Sequence, residues 1–361
     1  MESPHLIEFG RVCHQDRLRA MGQRKTTIQD VAAAAQVSVA TVDRVLNGRG
    51  GVRQERARRV LEWARKLKID RALEDLPMRW LRIAILVQNP SNPYHASLKT
   101  AFQSAQRAYE AQRVMCLLHY FDSLEPAAVA RAIHRASEKA DGLVILSYDH
   151  PRITAALKTI SKRIPIVTVA SDLPACGRIA YVGSDNRVAG RVAGELMGRF
   201  LGPQGGQILV VSGMHDFIGH EERESGFRGV LRRRFPNCEV VAAVESQEQQ
   251  ERTEKLTRDT CKRFPNLRGI YNISVGSRGI ASALKALGKG GDVVLISHEL
   301  TEVHRELLTD GMMDAVLDQN PQVEALRAVQ LLLHYNRRVP DSEVQLETPV
   351  TIYLRENLPQ G

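Results

Sequence analysis

Arg44 offers the most definite chemistry in the chain. A guanidinium presents paired N–H donors that match the O6 and N7 acceptors of a guanine edge. It lies in SVATVDRVLNGRG, where helical spacing turns Val39, Ala40, Asp43, Arg44 and Asn47 to one side and Val42, Val45 and Leu46 to the other. Val39 and Ala40 can touch a thymine methyl. Asp43 can accept from a cytosine amine or orient Arg44. Ser38 suits an N-cap, and Thr27 with Asp30 suits a helix start; both join Thr41 as polar candidates on the same DNA-facing surface. Lys25, Arg49, Arg53 and Arg56 are placed to hold phosphates, which sets position rather than sequence.

A second group of polar residues stands where short apolar runs end. Asn92, Tyr94 and His95 follow the first run, Ser147 the third and Asp172 the fourth. Asn272 and Ser274, with Ser277 and Arg278 beyond them, follow a later one, and Gln319 another. Amides and hydroxyls there can bond a polyhydroxylated ligand, and Tyr94 or His95 can stack on a sugar ring. Plainer roles compete: Asn92 and Asp185 suit helix caps, and His95 and His298 suit local hydrogen bonds.

The elements that must carry these residues divide sharply. Residues 27–69 read as helices alone, with a break at Gln36–Val37 and a third helix over Val52–Lys66 whose apolar positions include Leu61 and Ala64. Two short helices joined by a three-residue turn, then a third, predict a helix-turn-helix; a three-helix cap on an enzyme is the structural alternative. From residue 81, ten β-branched runs alternate with amphipathic helices, which predicts parallel sheets covered by helices on both faces. Ten strands are many for one sheet, so two α/β lobes are expected.

Charge follows the same division. Of a net charge of +9, residues 24–80 hold thirteen basic against seven acidic side chains, and residues 1–23 balance three against three. A basic module ahead of a nearly neutral one favours a polyanionic partner at the N-terminal end. The five cysteines are scattered without a C-x-x-C pair, so neither a disulfide framework nor a zinc site is expected. His215 and His220 lack a third clustered donor, and no metal, cofactor or catalytic residue is called for. No apolar run spans a membrane, and residues 1–20 carry Glu2, Glu8 and Asp16 without an apolar stretch. A cytoplasmic protein is therefore expected, with residues 1–23 an extension and Met21 a candidate start.

The run IQDVAAAAQVSVATVDRVLNGRGGVRQERARRVLEWARKL closely resembles the headpiece of the lactose-repressor (LacI/GalR) family over about 45 residues. The resemblance implies that Val39, Ala40 and Arg44 read bases, and that a homodimer binds a near-palindromic double-stranded operator. Residues 81–355 are similar to that family's effector domain, whose periplasmic binding protein-like type I fold holds a sugar or polyol between two Rossmann-like lobes. Arg223 then matches an arginine that reaches into the cleft, and Glu299 stands where relatives often carry a hydroxyl-binding Asp. Against that, Arg223 beside Glu221, Glu222 and Glu224 could be a surface ion pair. The expected organisation is a headpiece over 24–69, a linker over 70–80, a first lobe over 81–182 and 300–317, and a second over 183–297 and 320–355.

Two departures stand out. The stretch LKIDRALEDLPMRWLR carries Glu74, Asp75 and Pro77 where the family inserts a helix into the minor groove, which sets Leu76 and Met78 apart from that role. Ala170–Ser171 replaces the Asp-Arg of many sugar-binding relatives, so the ligand's charge or hydroxyl pattern should differ. The expected function is a ligand-controlled transcription regulator, with repressor favoured. A transporter's solute-binding component and a sugar-modifying enzyme are the competing classes; the latter lacks paired carboxylates, a nucleophile elbow or a phosphate loop.

Overall fold

A computed structural model describes residues 27–46, 51–67, 79–88, 92–214, 216–339 and 345–359. The extension, Lys25, Asn47, Arg49, His215 and residues 70–78 of the linker, with Leu76 and Met78, lie outside the described residues. The chain forms two compact units, one up to Met78 and one from Arg79 onward.

The first unit holds α1 (Ile28–Ala35), α2 (Val39–Leu46) and α3 (Gln54–Lys66). Thr27 opens α1 with a capping box: its backbone N–H donates to Asp30 Oδ2 at 2.7 Å while its hydroxyl accepts from the Asp30 N–H at 3.4 Å. Gln36 closes α1 in the left-handed region (φ 53°), and Ser38 Oγ caps α2 by accepting from the Thr41 N–H at 3.2 Å. Val31, Ala32, Ala35, Val42, Val60 and Ala64 form the core. One expectation shifts: α3 buries Val60, one turn before Ala64 on the same face, and leaves Leu61 half-buried.

The second unit contains two sheets. The first has the order β2-β1-β3-β4-β5, all parallel: β1 (Leu81–Gln88), β2 (Val114–Phe121), β3 (Gly142–Ile145), β4 (Ile166–Val169) and β5 (Ala180–Val182). The second runs β11-β10-β9-β8-β6-β7: β6 (Gly206–Ser212), β7 (Cys238–Glu245), β8 (Leu267–Asn272), β9 (Val294–His298), β10 (Ala315–Asp318) and β11 (Thr351–Tyr353). Every pairing there is parallel except that of β11 with β10. The β3 and β4 strands are buried throughout, as strands covered on both faces require.

The expected lobe boundaries are corrected beyond residue 297. The helix α11 (Glu302–Thr309) and strand β10 stay with the second lobe, because β10 pairs with β9. The helix α12 (Pro321–Tyr335) instead returns to the first lobe, where Ala325, Ala328, Val329, Leu332 and Leu333 join the core of β1, β3 and β4. Strand β11 then goes back to the second sheet. The chain therefore passes between lobes near Gly183, near Gln319 and again before β11; Thr348 donates its N–H to the Gly183 carbonyl at 2.9 Å, laying two of these passages side by side.

Candidate functional site

On α2 the expected division of faces holds for Val42 inward and for Val39, Ala40 and Arg44 outward, but not for Asp43. Val42 is buried and Val45 and Leu46 half-buried, while Val39, Ala40 and Arg44 are exposed. Thr41 and Asp43 are half-buried, and Arg53 and Arg56 are exposed. Thr27 and Ser38 spend their hydroxyls within the headpiece, Thr27 Oγ1 on Asp30 at 2.7 Å and Ser38 Oγ on Thr41 at 2.8 Å. Their contribution is to fix where the helices begin.

The second unit holds a cavity of about 530 Å3 between its lobes. The helix α4 (Pro93–Ala108) opens at its wall, with Asn92 as N-cap accepting from the Tyr94 N–H at 2.9 Å. The Asn92 amide also donates to Glu248 Oε2 across the cleft at 3.1 Å, so the residue both caps the helix and stands at the cavity wall. Tyr94 donates its hydroxyl to Glu324 Oε2 at 2.7 Å. His95 is bound through Nδ1 to the Gln88 carbonyl at 3.1 Å, and burial pushes its pKa down to about 4, leaving a neutral ring.

Arg223 comes from α8 (Ile218–Arg234), which lies against α7 (Asn186–Leu201) unusually closely. A Cβ on Gly190 would fall 1.9 Å from the Arg223 carbonyl oxygen, and one on Gly226 would fall 2.2 Å from that of Arg187. The missing side chains thus permit the approach that aims Arg223 inward. It is 5% exposed, which rules out the surface ion pair. Its guanidinium donates to Asn186 Oδ1 at 2.7 Å, the Ile273 carbonyl at 3.3 Å and Glu299 Oε1 at 3.4 Å. Gln319 Nε2 donates to the same Glu299 oxygen at 2.7 Å. Burial lifts the Glu299 pKa to about 8 against the opposing pull of Arg223, and Glu299 Oε2 and Gln319 Oε1 have no partner.

Seven of the ten expected ligand-contact residues line the cavity: Asn92, Tyr94, His95, Arg223, Ser274, Glu299 and Gln319. Three do not. Ser147 is buried behind Leu146, which takes the place at the wall. Asp172 is committed to an ion pair with Arg178 and accepts from Thr168 Oγ1 at 2.8 Å. Asn272 lies under the floor, donating to Ser277 Oγ at 2.8 Å and Ser297 Oγ at 3.2 Å, and supports the residues above it. The sequence reading missed Gln88, Phe217 and Glu248 as wall residues. Phe217 was detectable as an aromatic stranded in a polar loop; Glu248, amid SQEQQER, had no such mark.

Three histidines border the cavity besides His95. His298 meets the Tyr271 hydroxyl through Nε2 at 2.7 Å, and burial with nearby Arg223 lowers its pKa well below the usual value. His304 Nε2 meets Ser277 Oγ at 2.8 Å, and burial lowers its pKa to about 4. His220 Nδ1 meets the Met214 carbonyl at 3.1 Å beneath a tilted contact with Phe217. Among the described residues no group of three or more His, Cys, Asp or Glu could hold a metal ion.

The lobes touch directly around this cavity. Asp149 N–H donates to the Asp216 carbonyl at 2.9 Å, Gly219 N–H to Ser171 Oγ at 3.3 Å, and the Tyr148 and Phe217 rings meet edge-on at 6.0 Å.

The family model of bacterial regulatory proteins of the lacI family matches residues 27–68, the three helices just described, and that of the periplasmic binding protein domain matches residues 83–337. The chain belongs to the lacI family of bacterial regulatory proteins. This lacI-family regulator is 29% identical to the ribose operon repressor of Halalkalibacterium halodurans, over 73% of its own length and 76% of the relative's. It is 21% identical to the ribose import binding protein RbsB of Salmonella typhimurium, over 75% of its own length and 89% of that protein's. The two-lobed fold is shared with the crystal structure of GanP, a glucose-galactose binding protein from Geobacillus stearothermophilus, at a TM-score of 0.71 and 20% identity, covering 78% of the regulator and 100% of GanP. These relatives are regulators and binding proteins. No helix among the described residues is long and apolar enough to cross a membrane.

Proposed function

We propose that the protein is a cytoplasmic repressor that binds a near-palindromic operator as a homodimer, and that a sugar or sugar-like ligand between its lobes sets operator affinity. The observation that carries this reading is one chain holding both an outward helix with Val39, Ala40 and Arg44 exposed and an interlobe cavity walled by Arg223, Glu299 and Gln319. An α2 from each subunit would enter the major groove of one half-site, Arg44 would select guanine, and Arg53 and Arg56 would hold phosphates. Asn47 and Arg49 are proposed to join that surface. In the cleft, a guanidinium, a carboxylate and two amides can bond several hydroxyls at once, with Tyr94 and Phe217 against the ring's apolar face.

Ligand would act by changing how the lobes close, and so the spacing of paired headpieces. A coupling of about 1–3 kcal/mol changes operator affinity several-fold to a hundred-fold. A transporter's solute-binding protein shares the cleft but has no use for the headpiece. Titration of operator DNA with and without a panel of sugars tests the reading: at least one sugar should shift operator affinity, and unchanged affinity throughout would remove the sensing role.

A further inference from the structure

We propose that the cleft takes a polyhydroxylated ligand bearing a protonated amine, an amino sugar or amino polyol, whose ammonium is held by Glu248. The proposal rests on the sugar-class reading above and narrows it.

Glu248 is placed by an uncommon backbone. It and Gln247 are consecutive non-glycine residues in the left-handed region, at φ 59° and 53°. Outliers of this kind persist where surrounding structure enforces them, and they cluster at ligand sites. The conformation sends the half-buried Glu248 side chain into the cleft, where Oε1 accepts from the Ser274 hydroxyl and Oε2 from the Asn92 amide of the opposite lobe. A Cβ on Gly213 would lie 1.7 Å from Glu248 Oε1, so the glycine leaves a place shaped for this carboxylate.

The donors around Glu248 are neutral. No ion pair to it is found among the described residues, although several kcal/mol-scale costs attend an unpaired carboxylate in such a place. Arg223 is occupied by Glu299, Asn186 and the Ile273 carbonyl. Arg278, at the cavity wall, is half exposed and paired with Glu306 at 2.8 Å. The first lobe contributes Gln88, Asn92, Tyr94, His95 and Ser171, none formally charged while His95 stays neutral.

A second observation points the same way. Gln319 is 4% exposed and lines the cavity, yet its Oε1 accepts no hydrogen bond. An acceptor is therefore left unmatched on this wall. A hydroxyl brings one donor hydrogen, whereas an ammonium brings three together with the charge that Glu248 lacks. Burial raises the Glu248 pKa, the direction expected of a carboxylate without a cation.

The test is calorimetric titration of the full-length protein with D-glucosamine, D-galactosamine, D-mannosamine and 1-amino-1-deoxy-D-glucitol. Each is compared with its N-acetyl form and its neutral parent, with propylamine as an amine lacking hydroxyls. At least one free amine should bind about tenfold or more tighter than both of its neutral counterparts. Glu248→Gln, checked for folding by circular dichroism, should bring that ratio close to one. Should Glu248→Gln fail to fold, Glu248→Asp, which withdraws the carboxylate by one methylene, should lower the ratio. A neutral parent binding as tightly as its amine, or a ratio unmoved by these variants, would overturn the proposal while leaving the sugar-class reading intact. Propylamine binding as well as the amino sugars would overturn the polyhydroxylated part. Silence from the entire panel would overturn both readings.

Discussion

The headpiece and the cleft use the same residue types in opposite surroundings. Arg44 projects from α2 into solvent, whereas Arg223 is 5% exposed and bonded to three groups. An exposed guanidinium costs the fold almost nothing and awaits a partner outside the chain. A buried one must be fully bonded, so its neighbours become part of the fold's stability as well as of any ligand site. Removing Arg44 should therefore be a binding event, and removing Arg223 a structural one.

The largest effect is expected from Arg223→Ala, which strips Asn186, the Ile273 carbonyl and Glu299 of a common donor. Breaking such a buried pair costs about 3 kcal/mol or more, and calorimetric unfolding should show the loss in the second unit. A variant unfolding at the wild-type temperature would erase the contrast between the two arginines. Arg44→Ala should leave unfolding unchanged and reduce discrimination between operator and scrambled DNA by roughly 1–3 kcal/mol per half-site. Fluorescence anisotropy on both duplexes measures it.

The regions should also differ in their response to pH, since residues 27–67 contain no histidine. His95 and His304, held near 4, should stay neutral in NMR titrations through the range where an exposed imidazole protonates. Because their folded pKa values are lowered, the stability they contribute is present above the unfolded value of 6.5 and is lost as pH falls toward 4. Glu299 has the opposite sign. Its folded pKa of about 8 exceeds the ordinary 4.5, so stability present below 4.5 is lost as pH rises to 8. The unfolding temperature of Glu299→Gln relative to wild type should rise across that window; a flat difference would show the carboxyl to be ordinary. The smallest effect belongs to the headpiece: Ser38→Ala removes the α2 cap and should cost about 1 kcal/mol, with no change in ligand binding.

The legibility of the two regions in the sequence follows from the same contrast. Val42 inward and Val39, Ala40 and Arg44 outward follow from 3.6-residue periodicity, a local rule that needs no knowledge of the rest of the chain. The ten β-branched runs likewise correspond to β1 through β10, because buried parallel strands are apolar wherever they pair. Strand β11, only three half-buried residues long, carries no such signal. Asp172 and Ser147 show where local reasoning stops. Both stand at strand ends as ligand residues do, but Arg178 captures one and Leu146 displaces the other from the wall.

By itself, then, the sequence determined the helix-turn-helix, the exposed side of its second helix, and the alternation of strand and helix, since each depends on the spacing of neighbours along the chain. Tertiary structure decided the route of the crossings, the return of α12 to the first lobe, and the meeting of Asn92 with Glu248. Those outcomes depend on distances between residues as much as 230 positions apart, as Tyr94 and Glu324 are, which side-chain volumes and two glycine-lined helices settle and no local pattern records.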